Sequence, residues 1–285
     1  MSAPERVGVL GGGRMGAGIA HAFLLAGSHV TVVERDAVSA DAAAQRVGES
    51  IRRSVDRDPA LDAGGLAARL RTGVDVALFA DDGLVIEAVP EDPELKQDAL
   101  SRVEAVIAET AVLATNTSSL SIDGLAAGRR RPERFLGLHF FNPVPASALV
   151  EIVHGTATDA AVIDAARSWV TALGKTPVVV ADSPGFASSR LGVMLGLEAI
   201  RMLEEGVASA ADIDAAMTLG YRHPVGPLRT TDLVGLDVRL SIAEELAREL
   251  GDRFAPPALL RTMVAEGRLG RKSGAGFYDW TEETR

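Results

Sequence analysis

A glycine-rich corner near the start of the chain limits the fold more than any other feature. Gly11-Gly12-Gly13-Arg14-Met15-Gly16 fits G-x-G-x-x-G, follows the apolar run Val7–Leu10 and opens a helical pattern to Ala26; Val30–Val33 is then a second apolar run. Strand, glycine turn, helix and strand in that order predict a βαβ unit able to receive a dinucleotide. Gly11 suits the tight turn, Gly13 the close approach of backbone to a pyrophosphate, and Gly16 the packing of helix on strand. The N–H groups of the first helical turn, at Arg14 and Met15, would face the phosphates. Glu34, at the end of the second run, is placed to accept hydrogen bonds from adenosine ribose hydroxyls, which favours NAD. Arg35 beside it is the feature that could instead pair with a 2′-phosphate, if Glu34 swung aside.

Further apolar runs at Leu84–Ala88, Val112–Thr115, Leu136–Phe140, Val150–Val153 and Pro177–Val180 alternate with helical patterns. That alternation predicts an α/β fold, a Rossmann-type, mostly parallel sheet with helices on both faces. Ser183-Pro184-Gly185 is a turn signal, and from about Phe186 the periodicity is helical throughout. The expected organisation is a dinucleotide-binding domain over residues 1–183 and a smaller all-helical domain over 184–285. Helices are expected at Ala187–Glu205, Ala210–Leu219, Thr231–Leu250 and Pro257–Glu266. Leu191–Leu203 is apolar nearly all round, so this domain is expected to carry a homodimer interface.

Composition narrows the partners. A formal charge of -10 gives no global attraction to nucleic acid or an anionic membrane, so neither is expected as a partner and a small molecule is. The absence of cysteine removes disulfides, thiolate zinc sites and cysteine nucleophiles from consideration. Charged residues interrupt every apolar run before it could span a bilayer, and the first strand begins too early to leave room for a secretory signal, so a cytoplasmic location is expected.

A dinucleotide fold does not define a reaction, so the chemistry must come from other residues. Asn116-Thr117-Ser118-Ser119 and His139-Phe140-Phe141-Asn142-Pro143 lie near the carboxyl ends of expected strands, where ligands bind in open parallel sheets, and Glu151 lies within the next strand. Oxidising an alcohol requires a base for the hydroxyl proton, and His139 is the imidazole in this group. Glu151, a carboxylate in an apolar strand, needs a cation or a proton, and it could hold the imidazole in one tautomer. Ser118 could donate to a substrate oxygen, or it and its neighbours could cap the helix that begins near Ile122. His21, His29, His154 and His223 show no comparable grouping and are read as structural; no metal cluster is evident.

With these residues in view, the chain resembles the 3-hydroxyacyl-CoA dehydrogenase family, close to its bacterial 3-hydroxybutyryl-CoA members. The resemblance runs nearly end to end and rests on Gly11–Gly18, Glu87–Glu91, Asn116–Ser119, His139–Pro143, Asp182–Phe186 and Gly270–Phe277. It implies His139 as the acid-base residue, Glu151 as its orienting partner and Ser118 as the donor to the substrate oxygen. It also implies that Glu91, Lys96, Asn116 and Asn142 border the nicotinamide ribose and the substrate, and that Ser50 and Arg57 contact the CoA moiety of an acyl-CoA substrate. Arg57 stands where the family has lysine, Ser189 where it usually has an active-site asparagine, and Glu34 where aspartate is typical. The implied reaction is the reversible, NAD-dependent oxidation of an (S)-3-hydroxyacyl-CoA, a step of fatty acid metabolism. A dehydrogenase for a carrier-protein thioester or a free 3-hydroxy acid, and a non-catalytic protein that keeps the cofactor fold, are the alternatives.

Overall fold

A computed structural model describes residues 2–281 of the chain. They form two compact units that divide between Ser183 and Pro184. The first unit runs β1 (Arg6–Leu10), α1 (Arg14–Leu25), β2 (His29–Val33), α2 (Ala37–Arg57), α3 (Ala63–Ala68), β3 (Leu70–Gly73) and β4 (Leu84–Glu87). It continues with α4 (Pro93–Glu104), β5 (Val112–Thr115), α5 (Ile122–Ala126), β6 (Phe135–Phe140), β7 (Leu149–His154), α6 (Ala160–Ala172) and β8 (Thr176–Ala181).

All eight strands join one sheet in the order β3-β2-β1-β4-β5-β6-β7-β8. From β1 the chain winds outward through β2 and β3, then returns to the other side of β1 to place β4. Right-handed crossovers in the two directions put α1 and α4 on opposite faces, and the crevice between the carboxyl ends of β1 and β4 is the switch point. The strands are buried apolar runs, as a sheet covered on both faces requires: β1, β2 and β4 hold Val7, Val9, Val30, Val32, Leu84 and Ile86 at 1% exposure or less. Residues of α1, α2 and α6, among them Phe23, Val47 and Ala166, pack into the same core.

Two features of this unit depart from the sequence expectation. Strand β3 has no counterpart there because its four residues, Leu70-Arg71-Thr72-Gly73, form a half-exposed edge that carries little apolar signal. The second is a reversal: β7 pairs antiparallel with β6, and β8 runs parallel to β7. Residues 141–148 are too few for the crossover that a parallel return needs, so the chain turns straight back.

The second unit is helical: α7 (Ser188–Glu204), α8 (Ala210–Gly220), α9 (Pro227–Val234), α10 (Leu236–Leu250) and α11 (Ala258–Ala265). The single helix expected over Thr231–Leu250 is two, because Gly235 sits between them at φ 105°, a conformation that ends one helix and starts the next. Asp232, wholly buried in α9, accepts from the Phe277 and Tyr278 amides and from Trp280 Nε1, all at 2.8–2.9 Å. Gly276 approaches so closely that a Cβ there would lie 2.2 Å from Asp232 Oδ1, which ties the Gly270–Phe277 segment to the helices. No helix among the described residues is long and apolar enough to cross a membrane.

At the amino end of β4, Asp82 is 4% exposed, and its Oδ2 has no hydrogen-bond partner among the described residues. Burial pushes its pKa up to about 7; Arg6 opposes this, Asp81 adds to it and Arg71 opposes it. A carboxyl with a raised folded-state pKa gives stability that is complete below the ordinary carboxylate range and is lost as pH climbs towards 7. Asp82→Asn removes that loss, so chemical denaturation should show the variant's advantage over the parent growing between pH 5 and pH 8. An advantage that does not change over that interval would contradict the assignment.

Candidate active site

The glycine corner is built as a bare cradle. Gly11, at φ 95°, donates its N–H to Val33 O at 2.8 Å, and a Cβ on Gly16 would lie 1.8 Å from Gly11 O. A Cβ on Gly13 would meet nothing within 4 Å, and α1 begins there without a side-chain cap, so no cap side chain competes for its first N–H groups. Gly12, a free position in the motif, has the tightest neighbour outside the corner: a Cβ there would lie 2.3 Å from Ala43 Cβ on α2. The motif cannot reveal that constraint, because it comes from a helix that begins at Ala37.

Glu34 follows β2 and accepts from the Gly12 amide at 2.7 Å, while the exposed Arg35 side chain pairs with Asp36 at 3.1 Å. Arg14 is exposed and Met15 half-buried at the start of α1. An open glycine cradle, a helix start and a carboxylate at the end of the second strand together fit a dinucleotide.

His139 and Glu151 are direct partners across β6 and β7. Paired residues of an antiparallel ladder project to the same face, and His139 Nδ1 lies 2.8 Å from Glu151 Oε2. Since an ionised carboxylate only accepts, Nδ1 carries the proton and Nε2 is left as the basic nitrogen. Glu151 is 0% and His139 6% exposed, and the Phe141 ring lies 4.3 Å from the imidazole, centroid to centroid.

A second buried network lies at the ends of β4 and β5. Glu87, 0% exposed, pairs with Lys96 at 2.7 Å, and Lys96, 1% exposed, lies 3.3 Å from Glu91. Glu91 Oε1 accepts from the Thr117 hydroxyl, the Ser118 amide at 2.9 Å and the Ser119 amide at 3.2 Å, with Ser118 Oγ at 3.4 Å. Burial works against ionisation of Glu91, but the Lys96 charge and the hydrogen bonds from Thr117 and Ser118 outweigh it and hold the carboxyl below its ordinary range. Ser118 does not cap α5; Ser121 does, through its side chain to the Gly124 amide. Asn116 accepts from the Phe140 amide at 2.9 Å and so ties the end of β5 to the end of β6. Asn142 is exposed, at a cis bond to Pro143.

Sequence reasoning gave no role to Glu87, Thr115 or Thr117. For Glu87 the signal was the one that singled out Glu151, a carboxylate ending an otherwise apolar strand.

Ser50 and Arg57, the residues proposed for a CoA moiety, both lie on α2, about two turns apart. The Ser50 hydroxyl donates to Arg46 O at 3.0 Å, within α2. Arg57, exposed, lines a cavity of about 300 Å³ with His21, Ser54, Pro145 and Lys175. Lys175 donates to Val144 O at 2.6 Å, and burial lowers its pKa. Burial, then the charge of Arg57, lowers that of His21, whose Nε2 lies 3.1 Å from Ser54 Oγ. Ser189 belongs to the second unit, in the first turn of α7. Among the described residues no group of three or more His, Asp or Glu could hold a metal ion.

Two family models match the chain, the 3-hydroxyacyl-CoA dehydrogenase NAD binding domain over residues 6–183 and the C-terminal domain of the same enzymes over residues 185–280. The chain belongs to the 3-hydroxyacyl-CoA dehydrogenase family. It is 43% identical to a 3-hydroxybutyryl-CoA dehydrogenase of Mycobacterium tuberculosis, over 97% of this chain and 98% of that one. A 3-hydroxybutyryl-CoA dehydrogenase of Bradyrhizobium diazoefficiens is 41% identical, over 97% and 95%. The crystal structure of an (S)-3-hydroxybutyryl-CoA dehydrogenase from Ralstonia eutropha superposes with a TM-score of 0.93 at 38% identity, over 98% of this chain and 99% of that one.

The first unit of this family member is therefore an NAD-binding domain, and the cradle around Gly13 allows a separation of effects. Gly13→Ala has room in the protein, so it should leave thermal stability unchanged while weakening NADH binding, read by fluorescence titration, at least about 10-fold through contact with the cofactor. Gly12→Ala forces β2 and α2 apart and should lower the melting temperature itself. Equal thermal destabilisation by both would contradict this geometry.

Proposed function

We propose that the chain interconverts (S)-3-hydroxyacyl-CoA and 3-oxoacyl-CoA thioesters, with NAD as the redox partner and short acyl chains such as 3-hydroxybutyryl as substrates. The observation that carries the proposal is the buried His139–Glu151 pair at the carboxyl edge of an NAD-binding sheet. The names of the relatives support the same substrate class.

When bound, NAD supplies the acceptor for the hydride that leaves the substrate C3. In the oxidative direction His139 Nε2 takes the proton of the C3 hydroxyl, converting the alcohol to a ketone as the hydride departs. Glu151, holding Nδ1–H, offsets the charge of the imidazolium that forms. Ser118 Oγ, only loosely held by Glu91 at 3.4 Å, donates to the substrate oxygen and steadies its developing charge. Glu34 meets the adenosine ribose, and Asn116, Asn142 and Glu91 border the nicotinamide side. The cavity beside Arg57 and Lys175 supports a phosphate-bearing substrate, and Arg57 keeps the cationic character of the family's lysine. The same reading carries a cytoplasmic homodimer acting in fatty acid metabolism. What supports the dimer is a group of large exposed apolar side chains on the second unit, Leu191, Leu219, Tyr221 and Val238.

Acetoacetyl-CoA should be reduced with consumption of NADH. His139→Ala should lower kcat about 10²- to 10⁴-fold, and Glu151→Gln should lower it at least about 10²-fold with little change in NADH affinity. Full activity of His139→Ala would remove the assigned base, and turnover with NADPH alone would overturn the cofactor. Arg57→Ala should raise the KM for acetoacetyl-CoA about 10-fold while leaving a short acetoacetyl thioester without the nucleotide unaffected. Equal effects on the two would favour a substrate lacking CoA.

A further inference from the structure

We infer that Glu87 is a positioning residue that sets the Ser118 turn for reaction, acting through Lys96 and Glu91 on one side and through Thr115 on the other. The inference rests on Ser118 as the donor to the substrate oxygen.

Glu87 is the last residue of β4 and has no exposed surface. Its Oε1 accepts from Lys96 Nζ at 2.7 Å and from the Val89 amide at 2.6 Å, and its Oε2 accepts from Thr115 Oγ1 at 2.6 Å. Lys96 Nζ also donates to Val89 O at 3.2 Å and lies 3.3 Å from Glu91 Oε2. An ammonium has three protons, and three acceptors surround this one. Lys96, at 1% exposure, therefore acts as a fastener between two carboxylates. Glu91, fixed by it, holds the Ser118 and Ser119 amides and the Thr117 hydroxyl.

The second route is shorter. Having given its proton to Glu87, the Thr115 hydroxyl accepts from the Thr117 amide at 3.3 Å. Thr117 Oγ1 in turn accepts from the Leu120 amide at 2.9 Å, which closes the turn. Both routes start on one buried carboxylate and end on either side of Ser118. The hold on Ser118 falls on its backbone N–H at 2.9 Å, while its Oγ is 3.4 Å from Glu91, so the residue is fixed and its hydroxyl proton remains transferable to a substrate oxygen.

The test is a double-mutant cycle on the full-length enzyme with acetoacetyl-CoA and NADH. Ser118→Ala alone should lower kcat/KM about 10²-fold, as loss of a transition-state donor does. Glu87→Gln alone should lower kcat at least about 10-fold, with NADH affinity by fluorescence titration changed far less. In the Ser118→Ala background the Glu87→Gln effect should shrink to less than about 3-fold, because groups that act as a unit are not additive. Thr115→Val, which removes only a hydroxyl, is the second arm should Glu87→Gln fold poorly, and its smaller loss should likewise vanish when Ser118 is Ala. Full additivity in the cycles would overturn the inference and leave Ser118 in its role. No effect of Ser118→Ala would instead remove the reading of Ser118, and this inference with it.

Discussion

A carboxylate removed from water must be met by donors, and the carboxyl edge of this sheet is organised around two such groups. Glu87 and Glu151 are both completely buried, Glu87 at the end of an otherwise apolar strand and Glu151 between apolar neighbours in its own strand. Leaving either unmatched would cost several kcal/mol or force it to take up a proton. The fold meets the first with an ammonium, a backbone amide and a hydroxyl, and the second with an imidazole directly across the ladder. Donors committed in this way have little freedom, so the requirement that the carboxylates be satisfied also fixes His139 and the Ser118 turn.

The reversal at β6 and β7 makes the second match possible. A parallel β7 would bring its early residues to the opposite edge of the sheet, far from the carboxyl end of β6. Turning back through residues 141–148 makes His139 and Glu151 partners, with side chains on a common face. The short loop that enforces the reversal also carries Asn142 and the Pro145 that lines the Arg57 cavity. One connection thus shapes both the acid-base pair and part of the wall of the Arg57 cavity.

The cofactor corner works by removing side chains rather than adding them. Gly11, Gly12 and Gly16 are each required by a different neighbour: the backbone turn, the α2 helix and the Gly11 carbonyl. Gly13 alone is left facing open space, which is what a pyrophosphate would need. The same economy appears in the second unit, where Gly276 lets the segment Phe277–Trp280 close over Asp232.

Much of this was legible in the sequence, because strand, glycine turn and helix patterns are local and depend on residues a few positions apart. The order of the elements apart from β3, the glycine corner, the placement of Ser118 and His139 near strand ends and that of Glu151 within the next strand follow from such patterns and from the cost of burying charge. The break at Gly235 and the edge strand β3 were not legible, since one is a single backbone conformation within a helical period and the other has almost no apolar signal. For Glu87 only the tertiary structure decided which donors the buried carboxylate receives. The partners are separated by 9 residues for Glu87 and Lys96, 12 for Glu151 and His139, and 28 for Glu87 and Thr115. A sequence shows that a buried carboxylate must find a partner; sheet register selects His139 for Glu151 and Thr115 for Glu87, and the placement of α4 beside β4 selects Lys96.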